Sequence, residues 1–367
     1  MDGLTRVRHA IERKPMDRVP RYDAFWEDTL AEWGRGGLPP DADPDVFFDW
    51  DIRMMHVDAS MRREQKVLQA DDDFIVFQDR AGYTVRKMVG KSRALEWLDH
   101  ATKDKAAWKR LKPGFGFDPN DAARVDAKSY FAHMEAYPTW DEAKRLFDGL
   151  RATGKAIAFG VYGPWEATWR HRGYSTLMMD LAMAPAWVCE MAETQVELVI
   201  ACLRHCIDLD MRPDALFLID DLASTRALLF SPDMWRGVYK PLYARYGSFL
   251  HDNGIWFWLH SCGNCIDLIP DFIDCGLDVL QPLQAAAGLD VRTLKRQYGD
   301  DLTLWGNIDV RTLSGTPAEC EAEVRDKLTV AKQGGGYMYH SDHSIPPEVS
   351  FDRYRWILEL IEQYGAY

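Results

Sequence analysis

An imidazole and a thiol two residues apart stand directly after an apolar run in this chain. The run is Ile255-Trp-Phe-Trp-Leu259, and His260-Ser-Cys262-Gly-Asn264 follows it. Residues i and i+2 of an extended segment point to the same face, so His260 and Cys262 could hold one borderline-soft cation such as Zn²⁺. A buried thiol beside a hydrogen-bonded core histidine is the alternative interpretation of the same pair.

Candidates for a third ligand follow another short apolar run, about 80 residues further on. They are His340 and His343, with Asp342 between them as a further competitor or as a carboxylate that orients its neighbour. Three protein ligands leave a tetrahedral zinc with one open position, which is the catalytic rather than the structural arrangement.

Apolar runs that alternate with helical patterns must position these residues. From about residue 155 the runs are 156–159, 215–219, 255–259, 278–281, 302–305 and 336–339. Between them lie helical patterns such as 187–209 and 318–333, the second with Thr316 as its predicted N-cap and Pro317 at its first position. Strands that alternate with helices predict a parallel sheet. With a strand at 18–24 and another between 50 and 90, the count predicts an α/β fold of the TIM (β/α)8 barrel type, with an open doubly wound sheet as the alternative.

Polar residues follow the ends of these runs, where a barrel assembles its active site. Asp220 and Asp221 are predicted catalytic carboxylates, one acting on the substrate and the other fixing backbone or a metal-bound histidine. The alternative for at least one of them is a cap on the next turn. Glu166 is expected to donate a ligand or to pair with Arg170 one turn later. The predicted substrate-binding residues are Tyr22, Asp23, Trp26, Trp165, Glu166, Gln281, Asn307 and Asp309.

The 367 residues are expected to form a single domain over 1–367, with an irregular insertion at about 35–150. Within it, 62–66 has a helical pattern and 74–88 alternates around Ala81-Gly82, which predicts a β-hairpin. The insertion is expected to shape the pocket mouth or a homodimer interface. The net charge of −13 opposes binding to nucleic acid or to anionic membranes. With no apolar stretch of roughly 20 residues, no signal-peptide core and seven dispersed cysteines, a cytoplasmic protein with reduced thiols is expected.

Several motifs together resemble the uroporphyrinogen decarboxylase superfamily, over nearly the whole chain. They are Arg18-Val-Pro20 with Phe25-Trp26, Gly163-Pro164-Trp165-Glu166 with Arg170-His-Arg-Gly173, Asp220-Asp221-Leu222, Ser231-Pro232, His260-Ser-Cys262-Gly-Asn264, Gly306-Asn-Ile-Asp309 and Asp342-His343-Ser-Ile-Pro346-Pro347. The similarity is to the branch with zinc- and corrinoid-dependent methyltransferases, which has a TIM barrel. It implies Zn²⁺, a methylcobalamin-carrying partner protein and a thiol, pterin or methyl ether as the small substrate.

In those methyltransferases zinc is held by a His-x-Cys pair and a later cysteine. The resemblance matches the pair to His260 and Cys262, and by its distance to Pro347 it puts His343, also a predicted catalytic residue, in the later position. Two histidines and one thiolate would leave Zn²⁺ with a charge of +1, which favours activation of an ether oxygen or a pterin nitrogen. The alternatives are a related lyase that decarboxylates a small substrate without metal, and a binding or sensory protein that has the barrel but no turnover. The porphyrinogen decarboxylases themselves have an Arg-Gln-Ala-Gly-Arg motif where this chain has Arg21-Tyr-Asp-Ala-Phe-Trp26.

Overall fold

The computed structural model describes residues 1–91, 95–127 and 136–367. Its main sheet is built from seven parallel strands and one short antiparallel strand. Each predicted apolar run from residue 155 onward is confirmed as one of these strands, and the strand expected between 50 and 90 is β1. The strands are β1 (Ile52–Val57), β6 (Val125–Asp126), β7 (Ala156–Tyr162), β8 (Ala215–Ile219), β9 (Trp256–His260), β10 (Val279–Gln281), β11 (Thr303–Trp305) and β12 (Tyr337–Met338).

Their order in the sheet is β12-β11-β10-β9-β8-β7-β1-β6, with β6 antiparallel to β1 and every other pair parallel. The carboxyl ends of the seven parallel strands therefore lie at one edge, where the predicted polar residues follow them.

Residues 18–24 form isolated bridges in place of the predicted continuous strand. Pro20 has no N–H to give to a ladder, which explains the interruption. Its carbonyl still accepts a hydrogen bond from Tyr339 N at 2.8 Å, and Arg21 bridges Tyr339 in the parallel sense. On the other side, Asp51 N donates to Arg21 O at 2.9 Å. The segment thus lies between the end of β12 and the start of β1.

A second sheet, fully antiparallel, fills the insertion. It contains β2 (Lys66–Ala70), β3 (Phe74–Gln78), β4 (Tyr83–Met88) and β5 (Leu95–His100), in that order. The predicted hairpin is confirmed as β3 and β4, with Phe74 opposite Met88 and Gln78 opposite Thr84. The prediction of a helix at 62–66 is wrong. Arg62 has a φ of 50°, and the chain continues as a loop into β2.

Helices surround the main sheet. Thr316 and Pro317 begin the helix α14 as predicted, and Thr316 forms a reciprocal capping box with Glu319. The predicted helix 187–209 is α8. The helices are α1 (Gly3–Ile11), α2 (Glu27–Arg35), α3 (Pro44–Phe47), α4 (Lys105–Leu111), α5 (Trp140–Arg151), α6 (Pro164–Arg172), α7 (Tyr174–Met183), α8 (Pro185–Asp208), α9 (Pro232–Val238), α10 (Lys240–Asp252), α11 (Ile269–Asp274), α12 (Val291–Tyr298), α13 (Val310–Leu313), α14 (Pro317–Ala331) and α15 (Phe351–Gly365), with short 3-10 turns at Lys112–Phe115, Ile266–Leu268 and Ala285–Ala287.

The strand residues divide between two apolar clusters according to the side of the sheet that they face. The inner cluster contains Phe217, Trp258, Trp305 and Met338. Their sequence neighbours, such as Leu216 and Leu218 of β8 or Phe257 and Leu259 of β9, pack in the outer cluster against the helices. Because side chains alternate with a period of two, this division also decides which residues at the strand ends face inward.

Candidate metal site

Asp221, His260 and Cys262 come together at the carboxyl ends of β8 and β9. Continuing the inner face of β8 from Phe217 through Ile219 leads to Asp221, and continuing that of β9 from Trp258 leads to His260 and Cys262. One ligand atom from each residue lies within 4.8 Å of the other two, and all three residues are partly buried. His260 Nε2 is 3.4 Å from Cys262 Sγ and 3.5 Å from Asp221 Oδ1. The backbone N–H of Cys262 also donates to Asp221 Oδ1 at 2.8 Å, which fixes the carboxylate against the strand end.

Gln281 sets the orientation of the His260 ring. The two residues are direct partners across β9 and β10, and Gln281 Oε1 forms a short hydrogen bond with His260 Nδ1. An amide oxygen only accepts, so Nδ1 carries the proton and Nε2, which lies beside Cys262 and Asp221, keeps its lone pair. Histidine ligands of metals are commonly fixed by such a hydrogen bond to the second ring nitrogen.

The turn after Cys262 is built for a close approach of two backbones. Gly263 has a φ of 85°, and a Cβ atom there would lie 2.3 Å from Ala223 O. Burial, reinforced by the Asp221 carboxylate, raises the pKa of the Cys262 thiol well above its usual value. Without a cation the thiol is therefore protonated at neutral pH.

The three residues line a cavity of about 740 Å³. Most of its wall is apolar or aromatic, and the insertion contributes one side of it through β3, β4 and β5. The aromatic lining residues are Tyr22, Phe25, Trp26, Phe77, Tyr83, Trp97, Tyr162, Phe217 and Trp305; the titratable ones besides the tyrosines are Glu27, His56, Lys87, Glu166, Arg170, Asp221, His260, Cys262, His340 and His343.

Of the predicted substrate-binding residues, Tyr22, Trp26, Glu166 and Gln281 line this cavity. The predicted pair of Glu166 with Arg170 is confirmed as a short ion pair. Both residues are buried, and burial raises the pKa of Glu166 although the guanidinium opposes the shift. The Arg170 guanidinium carbon lies 3.5 Å from the centre of the Tyr162 ring, so its charge is enclosed between a carboxylate and an aromatic face.

His343 lines the cavity. Among the described residues, however, the candidate metal group contains Asp221, His260 and Cys262 and does not include His343. Its ring stacks on Trp26, with ring centres 5.5 Å apart and an angle of 27° between the planes. Asp221 occupies the third place in the group, where the resemblance had suggested His343.

Asp220 and Asp221 face opposite sides of the sheet. Asp220 is fully buried among the helices: its carboxylate accepts hydrogen bonds from Glu166 N at 2.8 Å and from Tyr243 Oη at 2.6 Å. It thereby caps the amino end of α6, and a Cβ atom at Gly163 would lie 2.4 Å from its Cγ. The capping alternative therefore describes Asp220, and burial raises its pKa to about 8. The predicted catalytic role of Asp220 is not supported by this position.

Four further predicted residues hold the framework and do not line the cavity. Trp165 packs in the core against Phe230. Asn307, with a φ of 78°, accepts from Val291 N and donates to Leu283 O and Leu289 O. Asp309 caps α13 and pairs with Arg311. Asp23 accepts hydrogen bonds from Tyr339 and Tyr354 at 2.8 Å each. The loops after the strands, which the run pattern does not describe, turn Asp23, Asn307 and Asp309 away from the cavity. Trp165 lies on α6 and faces the core.

Sequence reasoning named His340 only as a competing metal ligand, and it named none of the insertion's residues that line the cavity. Phe77 and Val85 are direct partners in the hairpin, and Val85 is a partner of Trp97 on β5. Their shared face was readable from the alternation within 74–88, but nothing in the sequence says that this face covers the cavity.

A family model described as uroporphyrinogen decarboxylase (URO-D) matches residues 116–364. The chain belongs to this family. Membership indicates an enzyme. Two curated relatives are uroporphyrinogen decarboxylases. The one from Pseudoalteromonas translucida (strain TAC 125) is 31% identical over 85 residues, 22% of this chain and 24% of that enzyme. The one from Pelodictyon phaeoclathratiforme (strain DSM 5477 / BU-1) is 24% identical over 106 residues, 28% of this chain and 29% of that enzyme. The matches thus span less than a third of these relatives' length.

A solved structure, the methyltransferase from Methanosarcina mazei, is similar over 100% of both chains with a TM-score of 0.65 and 14% sequence identity. This URO-D family member therefore shares its fold over the full length. Among the described residues, no helix is both long and apolar enough to cross a bilayer.

Proposed function

We propose that this URO-D family member is a zinc-dependent methyltransferase that moves a methyl group between a corrinoid carried by a partner protein and a small substrate. The observation that carries the proposal is the convergence of Asp221, His260 and Cys262 on one face of the cavity. Three such ligands would leave the fourth position of a tetrahedral zinc open to a substrate. The full-length likeness to a methyltransferase supports the same class of reaction.

The donor set fits zinc better than a hard cation. Imidazole nitrogen and thiolate sulfur are ligands that zinc prefers, whereas Mg²⁺ and Ca²⁺ take oxygen ligands almost alone. Gln281 already holds His260 in the tautomer that a metal needs. Cys262 would bind as the thiolate, a form that the buried site disfavours unless a cation compensates for it.

The net charge of the zinc and its three ligands narrows the choice among the candidate substrates. Asp221 and Cys262 each contribute −1 and His260 contributes none, so the set balances the +2 charge of Zn²⁺. With His343 in place of Asp221, the zinc and its ligands would have a net charge of +1. A balanced site leaves a bound thiolate more electron-rich, so among thiol, pterin and ether substrates we favour a thiol. When bound, zinc would supply the Lewis acidity that lowers the pKa of that thiol.

The rest of the cavity serves binding and exclusion of water. Aromatic rings from the loops and strands of the main sheet and from the insertion would cover a flat or apolar group. The paired charges of Arg170 and Glu166 leave little net charge in the wall. We further propose that residues 18–24 complete a closed eight-stranded barrel within one domain, which the bonds from Pro20 and Arg21 to both neighbouring strands support.

Porphyrinogen decarboxylation is the second candidate, favoured by the family model and the curated relatives. Its substrate carries eight carboxylates and would need several free cationic side chains, because each unpaired buried charge costs several kcal/mol. Among the described residues that line the cavity, the lysine and arginine side chains are Lys87 and Arg170, and each is paired with a glutamate. We therefore place this candidate second.

Zinc content and methyl transfer test the proposal together. The purified protein should contain about one zinc per chain, given the tight binding expected of such ligands. Cys262→Ser should lose both the zinc and the activity. Cys189→Ser is the matched control, since Cys189 is also a partly buried free thiol but lies on α8 outside the cavity. Loss of methylcobalamin absorbance is followed with thiol, pterin and phenol acceptors. Zinc below about 0.2 per chain, or turnover of uroporphyrinogen in place of methyl transfer, would overturn the proposal.

A further inference from the structure

His340 is a second histidine in the cavity that the proposed metal site does not use. It follows β12 on the inner face, two residues after Met338, and its side chain is only 4% exposed. The ring stands edge-on to Trp305, with centres 5.6 Å apart, and lies 6.0 Å from the ring of Tyr22. Its position is therefore fixed by two aromatic neighbours that also line the cavity.

A network on the far side of the ring fixes its tautomer. Nδ1 lies 2.5 Å from Ser341 O and 3.5 Å from Asp23 Oδ1. Both oxygens only accept when the carboxyl group is ionised, so Nδ1 carries the proton. Because the ring lines the cavity with Nδ1 turned to this network, Nε2 is the nitrogen offered to a bound molecule.

Asp23 is itself held in place. It accepts hydrogen bonds from Tyr339 Oη and Tyr354 Oη at 2.8 Å each and a short one from Ser341 Oγ, and its side chain has no exposed surface. Three hydroxyl donors hold the Asp23 carboxylate in one rotamer, so it maintains the orientation of the His340 ring. This arrangement, a histidine oriented by a buried carboxylate, is one that enzymes use to accept and return protons.

We propose that His340 is the catalytic residue that accepts the proton of the methyl-accepting substrate through Nε2, and that Asp23 is its positioning residue. This inference rests on the proposed methyltransferase function and extends it to the proton that must leave the acceptor.

The step balances with a thiol as acceptor and a methyl-corrinoid as donor. The S–H bond breaks, its proton goes to Nε2 of His340, and its electron pair stays on sulfur. Sulfur then forms the S–CH3 bond while the cobalt–carbon bond breaks, and that electron pair goes to cobalt, which is formally reduced from +3 to +1. The proton passes from His340 to solvent. In the reverse direction the imidazolium returns a proton to the leaving sulfur.

Four other titratable side chains of the cavity already have contacts of their own. Asp221 and His260 belong to the metal group, Glu166 is paired with Arg170, and His343 is stacked on Trp26. Burial lowers the pKa of His340, so its ring is neutral at pH 7 and Nε2 keeps its lone pair.

The test compares His340→Ala and His340→Gln with the wild type, using methylcobalamin and 2-mercaptoethanol at pH 7. Both variants should keep about one zinc per chain but lose methyl transfer by about 10²- to 10⁴-fold, the range typical of a general base. Added imidazole should restore part of the activity of His340→Ala, with more basic imidazoles restoring more. It should not restore His340→Gln, whose side chain fills the space. Asp23→Asn should lower kcat and leave KM unchanged.

The outcomes separate this inference from the proposed function. A wild type without zinc or methyl transfer overturns both. A wild type that is active, together with either His340 variant at full rate or a His340→Ala variant that imidazole does not restore, overturns the role of His340 alone. If His340→Ala does not fold, His340→Gln and Asp23→Asn carry the test, and full activity in both refutes the inference.

Discussion

Gln281→Met is the substitution that tests most sharply whether His260 is held as a metal ligand. Methionine keeps the length and the burial of the glutamine but has no oxygen to accept the proton of His260 Nδ1. The glutamine is only 3% exposed and is the partner of His260 on β10, and its Oε1 is the acceptor of the Nδ1 proton. Loss of such a hydrogen bond behind a histidine ligand typically lowers metal affinity by about 10- to 100-fold. This corresponds to roughly 1.4–2.7 kcal/mol of binding free energy.

The assay is competition for zinc against a chromogenic chelator at pH 7. The matched control is Gln195→Met: Gln195 is also buried, at 1% exposure, but it lies on α8 and donates to Tyr162 O. The control should lose thermal stability without losing zinc affinity, because it removes a hydrogen bond outside the metal group. Equal zinc affinity for Gln281→Met and the wild type would refute the role assigned to this hydrogen bond.

Three further predictions concern stability and binding. Burial raises the pKa of Asp220 from 3.8 to about 8. Between these two pH values the carboxyl group therefore takes up a proton when the protein folds. The contribution of Asp220 to the free energy of unfolding should fall as pH rises from about 4 to 8, and the difference in that free energy between the wild type and Asp220→Asn should shrink over the same range in urea titrations; a difference that does not change with pH would contradict this. Trp97→Ala removes part of the insertion's wall and should raise KM for the methyl acceptor about tenfold at unchanged zinc content, whereas an unchanged KM would exclude a binding role for the wall. Lys87→Met breaks an exposed ion pair with Glu27 and should cost less than about 1 kcal/mol of stability; a larger loss in thermal unfolding would show that the pair does more than link β4 to α2.

Much of the fold was predictable because parallel strands leave a strong sequence pattern. A strand covered on both faces reads as a continuous apolar run, and helices with clear caps separate the runs. The same continuity hides which face is which. In β8, Leu216 and Leu218 are as apolar as Phe217 and Ile219, so the sequence could not tell that Asp221 faces the cavity and Asp220 faces α6.

The site was predictable where its residues are close in sequence. His260 and Cys262 share a face because they are two residues apart. The third member of the group could not be chosen in that way, because Asp221, His340 and His343 all follow strands whose ends meet. The direction of each side chain depends on the loop that follows, and for His343 on the stacking with Trp26. The hairpin was predictable from its alternation, but its position over the cavity depends on contacts between residues far apart in the chain.

The most direct measurement of the central claim is an anomalous-scattering map of crystals of the purified protein, recorded on both sides of the zinc absorption edge. We predict one zinc peak, bound by Asp221, His260 and Cys262 at about 2.0–2.3 Å. His343 should remain stacked on Trp26 outside the coordination sphere. A zinc bound by His343 in place of Asp221 would contradict the assigned ligands and the balanced charge, and crystals without a peak at Cys262 would contradict the proposed chemistry as a whole.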